Sequence, residues 1–151
     1  MIPVDQDRFG DGEGNCWAAC MASILERPLS DLHAFHEAYL VHTVALTKSL
    51  NVAPEIRTAH HVQLARATGH AVIWLHLSLD PLVPRGYAIA SGPGHRGCDH
   101  AVVALDGVVV HDPHPSRDGL ESISYFEILI PIIWPADHIR LAAMEGPHAP
   151  T

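Results

Sequence analysis

The sequence predicts a single α+β domain in which helices from the first half pack on an antiparallel sheet built from the second half. Three observations carry this. From Trp17 to Ala65 apolar residues recur at helical spacing. After Gly69 the pattern changes to short runs rich in β-branched and aromatic residues. Two of those runs are separated by Asp106-Gly107 alone, a pair that tight hairpins favour. Helices followed by strands, rather than alternating with them, give an α+β architecture.

Taken in order, Asp5 to Asn15 reads as a loop, because Gly10, Gly12 and Gly14 tolerate unusual backbone angles. A first helix starts at or near Cys16, with Asn15 as its N-cap. Trp17, Cys20, Met21, Ile24 and Leu25 form its apolar stripe, and Pro28 stops it. Ser30 caps a second helix that runs through Phe35, Tyr39 and Leu40 toward Leu46. Pro54 opens a third, which carries Ile56, Val62, Leu64 and Ala65 and ends at Gly69. His70 to Leu77 is then a strand, and Gly86 to Ala90 a shorter one. Residues 91–97 read as a loop. His100 to Leu105 and Val108 to His111 form the hairpin, and a last strand falls within Ile123 to Ile133. The domain is expected to span 1–142, with a frayed tail beyond Ala142.

The totals narrow the function. A chain of 151 residues is the size of one domain and can bury a core without disulfides or metal. Its net charge of −8, with Lys and Arg scattered, disfavours a nucleic-acid partner. The richest apolar stretch, Ile128 to Trp134, is strand-sized and interrupted by Pro131, so no membrane span is expected. Met1 to Asp7 has neither the basic nor the apolar region of a signal peptide, and the expected location is the cytoplasm. Three cysteines, Cys16, Cys20 and Cys98, are too few and odd in number for a disulfide framework.

The chemistry concentrates on three residues. Cys16 follows a Gly-rich loop at a helix start, where unpaired N–H groups and the helix dipole favour a thiolate. His100 opens one strand of the hairpin, and Asp112 follows the other. Pairing backward from the Asp106-Gly107 turn sets Ala101 opposite Asp112, so His100 and Asp112 are diagonal neighbours at one hairpin end. There a carboxylate can hold one imidazole nitrogen while the other takes a proton from a thiol. Each residue also has a plainer reading: Cys16 as the first core residue of its helix, His100 as an edge-strand polar residue, and Asp112 as a turn residue before Pro113.

The segments Gly14-Asn15-Cys16-Trp17-Ala18-Ala19-Cys20, His100-Ala101-Val102-Val103 and Val108-Val109-Val110-His111-Asp112-Pro113 together resemble the C39-like branch of the papain-like cysteine peptidases. The resemblance covers most of the chain in order and spacing. It implies a papain-like fold, Cys16 as nucleophile, His100 as general base and acid, and Asp112 as the group that orients it. It also implies an oxyanion-hole glutamine upstream of the nucleophile. Gln6 is the only glutamine before Cys16 and stands ten residues away, further than the family's usual spacing, with the Gly-rich insert between. The implied activity is hydrolysis of a peptide or protein amide through a thioester, without a cofactor or metal; an amine acceptor on the same site would give transamidation. The family's peptide-exporter members carry membrane and ATPase parts that this sequence does not match, so their substrate is not carried over. A catalytically idle binding module of the same fold is a further alternative.

Other constellations are weaker. Cys16, Cys20, Cys98, His95 and His100 are candidate zinc ligands, but no Cys-x-x-Cys knuckle is present. Cys98 stands two residues before His100 and is expected on the same strand face or in the preceding loop. Alternation puts His111 on the face opposite Asp112, toward solvent, and His114 at the cleft rim. His33 with His36, and His60 with His61, read as polar helix faces. Gly92 to Gly97 is a candidate flap, and Trp17 a core anchor for the first helix.

Overall fold

The computed structural model describes residues 1–10, 14–33, 68–78 and 82–132. The expected third helix, most of the second and everything after residue 132 lie outside the described residues. Within them stand one helix, α1 (Cys16–Leu25), and five strands: β1 (His70–His76), β2 (Tyr87–Pro93), β3 (Asp99–Leu105), β4 (Val108–His111) and β5 (Tyr125–Pro131). A helical turn also runs from Ser30 to His33, where the described part of the second helix ends.

Helix α1 forms where the sequence expects it. Ala18, Ala19 and Ala22 are strong helix formers, and the first β-branched residue is Ile24. It ends in a Schellman motif. Glu26 takes the left-handed conformation at φ 54°, its N–H returns to the Ser23 carbonyl, and the Arg27 N–H returns to the Ala22 carbonyl at 3.0 Å. Pro28 then prevents continuation. Small residues let α1 bury every position from Trp17 to Ser23. Asn15 precedes the helix but does not cap it through its side chain. Its Oδ1 instead accepts the Arg8 N–H (3.1 Å), and its Nδ2 donates to Asp7 Oδ1 (2.8 Å), so it fastens the preceding loop.

The sheet has the order β1-β5-β2-β3-β4, with every neighbouring pair antiparallel. Alternation along the central strands divides two apolar clusters. Ile89, Ala101 and Val103 meet Trp17, Ala18, Cys20, Met21 and Ala22 of α1, together with Leu32. Ala88, Ala90, Val102, Ala104 and Phe126 meet Leu75, Leu77, Leu120 and Ile123 on the other face. Strands β2 and β3 are thus covered on both sides, which accounts for their near-continuous apolar sequences. The N-terminal segment lies along α1: Ile2 N–H donates to the Ser23 carbonyl and Val4 N–H to Ser23 Oγ, and Gln6 N–H then reaches the Pro113 carbonyl at 3.0 Å.

Two expectations about the strands change. Strand β2 continues through Ser91, Gly92 and Pro93, which were expected in a loop; Gly92 allows it, because a Cβ there would meet the Ser122 carbonyl oxygen at 2.2 Å. The hairpin turn is as expected, with Asp106 (φ 50°) and Gly107 (φ 80°) both in the left-handed region that a two-residue type I′ turn requires. Its register is not. Leu105 pairs Val108 and Ala104 pairs Val109, but Val103 pairs His111, so Val110 is a bulged extra residue. Asp112 therefore falls level with Val102 rather than with Ala101. That difference decides the site.

Candidate active site

Cross-strand partners share a sheet face, and a one-residue slip exchanges the faces. In an unbulged hairpin Asp112 would share the face of Ala101, and His100 would point the other way. The bulge at Val110 moves Asp112 into phase with Val102 and hence with His100. The two then meet: His100 Nε2 lies 2.7 Å from Asp112 Oδ1, and both side chains are buried. The carboxylate is held on all sides that matter. His114 N–H donates to Oδ1 (2.8 Å), and Gly119 N–H donates to Oδ2 (2.8 Å). Burial by itself would raise the Asp112 pKa. The bonds from His100, His114 and Gly119 outweigh it and hold the carboxyl below its ordinary value.

For His100 the balance tips the other way. Burial disfavours the imidazolium and lowers its pKa, Asp112 opposes this, and the charges of Arg96 and His114 add to the lowering. The resting imidazole is neutral near pH 7. With Nε2 committed to Asp112, the nitrogen left for chemistry is Nδ1.

Cys16 starts α1 and is half-buried. Backbone N–H groups of Ala101, the residue after His100, and of Trp17 reach its thiol. This brings the sulfur to the start of β3. Among the described residues no hydrogen bond joins Cys16 to His100. The helix start does not deliver the expected thiolate. Burial pushes the Cys16 thiol above the ordinary cysteine range, the N–H groups offset this only partly, and Cys98 adds to the rise. Cys20 is fully buried and is pushed well up by burial and by the negative charges around it.

Gln6 is brought to the same place. It is buried, its backbone is tied to Pro113, and its Nε2 donates to the Arg8 carbonyl at 2.7 Å. A Cβ on Gly14, two residues before Cys16, would stand 3.8 Å from that nitrogen. Gln6 therefore stands beside Gly14, two residues before the cysteine. One of the two Nε2 hydrogens is used by Arg8. Among the described residues the buried Oε1 has no hydrogen-bond partner.

Around these four, Phe9 packs edge-on against His114 with ring centroids 5.3 Å apart, and His114 in turn stands edge-on to His100 at 6.2 Å. His114 is half-buried between the two rings. His111 pairs with Val103 on the α1 side and does not face open solvent as expected: its Nε2 lies 3.0 Å from the Val4 carbonyl and 3.6 Å from Asp5. His33 faces Asp7 at 3.1 Å. Cys98 stands in the turn before β3 and is half-buried. Among the described residues no group of three or more His, Cys, Asp or Glu side chains stands ready to hold a metal ion, and no helix is long and apolar enough to cross a membrane.

Two residues that the sequence did not single out also bear on the site. Arg117, at φ 56°, donates from Nη1 to the Asp112 carbonyl and from Nη2 to Asp5 Oδ2 (2.7 Å), clipping the segment that carries Gln6 to the residue that holds His100. Glu127, fully buried on β5, accepts the indole N–H groups of Trp17 and Trp74. A lone acid in the apolar run Tyr125 to Ile130 was the available signal for it. Arg117 carried none. Comparison of the chain with protein-family models, with curated proteins and with solved structures finds no match.

Proposed function

We propose that this protein is a cysteine-dependent amide hydrolase of papain-like, C39-like architecture that acts on a peptide or protein substrate, with Cys16 as nucleophile, His100 as general base and acid, Asp112 as the orienting carboxylate and Gln6 as an oxyanion donor. The observation that carries the reading is the buried His100–Asp112 bond at the start of β3, the point where the next residue's N–H meets the helix-start thiol.

The electrostatics favour general-base catalysis over a preformed ion pair. A raised thiol and a lowered imidazole both rest neutral. As sulfur attacks the carbonyl, its proton passes to His100 Nδ1, and Asp112 stabilises the imidazolium that forms. The hydrogen-bond geometry of such pairs tightens when substrate is bound. The developing oxyanion is taken by the second Nε2 hydrogen of Gln6 and by the Cys16 backbone N–H. The tetrahedral species collapses, His100 returns the proton to the leaving amine, and water cleaves the thioester.

The test is turnover of a mixed peptide-amide library, with products read by mass spectrometry. Cys16→Ala is expected to abolish cleavage and the acyl adduct on residue 16. His100→Ala is expected to lower kcat by roughly 10²- to 10⁴-fold, and Gln6→Ala by about 10²- to 10³-fold. Undiminished cleavage by Cys16→Ala would end the reading. Products carrying an added amine nucleophile in place of water would turn it into acyl transfer.

A further inference from the structure

Among the described residues, the mechanism leaves a fully buried carboxyl group unused. Glu127 is fully buried, and on β5 it stands level with Trp74 of β1 and Ile89 of β2, on the sheet face that α1 covers. Its Oε1 accepts the Trp74 indole N–H at 2.6 Å, and its Oε2 accepts the Trp17 indole N–H. A carboxyl group taken fully out of water is costly, and packing alone would favour an apolar residue of similar size. Its placement gives it a use. Trp17 directly follows Cys16, so its indole fixes the rotation of the first turn of α1 about the helix axis. That rotation sets where the thiol lies relative to Ala101 and His100. The second indole fixes the carboxylate in turn, and the anchor runs from β1 through β5 to the helix start.

We propose that Glu127 is a positioning residue for Cys16, acting through the Trp17 indole. The proposal rests on Cys16 being the reactive thiol and extends the functional reading to how that thiol is aimed. Glu127→Gln leaves one acceptor oxygen for two indole donors and sets an amide N–H against the other. Trp17→Phe removes one donor and keeps a ring of similar shape.

The experiment uses the full chain and two probes. One is the burst of acylation by p-nitrophenyl acetate, followed as the adduct on Cys16. The other is the labelling rate of Cys16 by iodoacetamide, followed peptide by peptide, with buried Cys20 as the internal control for folding. Glu127→Gln and Trp17→Phe are each expected to slow acylation by about 10- to 100-fold, as a displaced nucleophile should, and to alter the Cys16 labelling rate while Cys20 stays protected. The double variant should be no slower than the worse single one, because both break the same bond. Trp74→Phe, which leaves the Trp17 bond in place, should have the smaller effect. Wild-type acylation and labelling rates in Glu127→Gln, or additive effects in the double variant, would overturn the proposal. Should Glu127→Gln fail to fold, the Trp17→Phe and Trp74→Phe pair decides: equal effects overturn it. A wild-type protein that never acylates Cys16 sinks the hydrolase reading instead, and the labelling arm still reads the positioning.

Discussion

Burial acts on the two partners of the proposed proton transfer in opposite directions, raising the Cys16 thiol and lowering the His100 imidazole. A helix start favours thiolate only through the few N–H groups it offers, and here desolvation is the larger effect. Alkylation of Cys16 in the free protein is therefore expected to rise with a midpoint above the ordinary cysteine value rather than below it, as read by iodoacetamide labelling across alkaline pH. A midpoint near neutrality would show a preformed thiolate and replace the neutral-pair mechanism. At this scale much of the site was legible. Cys16, His100 and Asp112 each stand at an element boundary marked by neighbouring Gly or Pro, and Gln6 was the one glutamine upstream. The thiol's environment was not legible, because helix position is local while burial is set by the sheet beneath it. Glu127 and Arg117 escaped for a related reason: their partners lie 110 and 112 residues away, and no short pattern ties them together.

At the scale of the element, the bulge at Val110 does the work that a tight turn cannot. The Asp106-Gly107 turn sets Leu105 against Val108, and regular pairing from there would leave Asp112 on the wrong face for His100. One extra residue corrects the phase. Deleting Val110 alone should preserve the His100–Asp112 bond, because His111 then pairs Val103 regularly and Asp112 stays level with Val102. Deleting Val109 and Val110 together should bring Asp112 level with Val103 and cost roughly 10²- to 10⁴-fold in kcat, the scale of losing the base. The two deletion variants, compared by turnover and by the His100 imidazole NMR signals, separate phase from general damage; equal losses would count against the phase argument. Three consecutive valines offered no indication of which was extra, or that any was. By contrast, the hairpin ends, the start of α1 and the last strand were all readable, since turn glycines and apolar runs mark them locally.

Over the molecule as a whole, the site's ionisation feeds back on stability. His100 has a folded pKa below its ordinary value of 6.5, and Asp112 one below 3.8. A group lowered on folding contributes stability above its unfolded pKa and loses it as pH falls through the folded one. Stability should therefore decline as pH drops below about 6.5 as His100 is forced to charge, and again below about 3.8 as Asp112 protonates. Urea midpoints measured between pH 7.5 and 5 check the first limb, which His100→Gln should flatten. The α+β class was legible from the change in periodicity at Gly69. The strand order was not, because β5 inserts between β1 and β2 through contacts that no local pattern encodes. The guanidinium clip of Arg117 joins the chain's fifth residue to its late third quarter, and contacts of such long sequence separation are slow to form. During renaturation from urea, ellipticity should accordingly return ahead of turnover, with the lag lengthened by Asp5→Ala, so that a freshly collapsed molecule has its secondary structure while still catalytically silent.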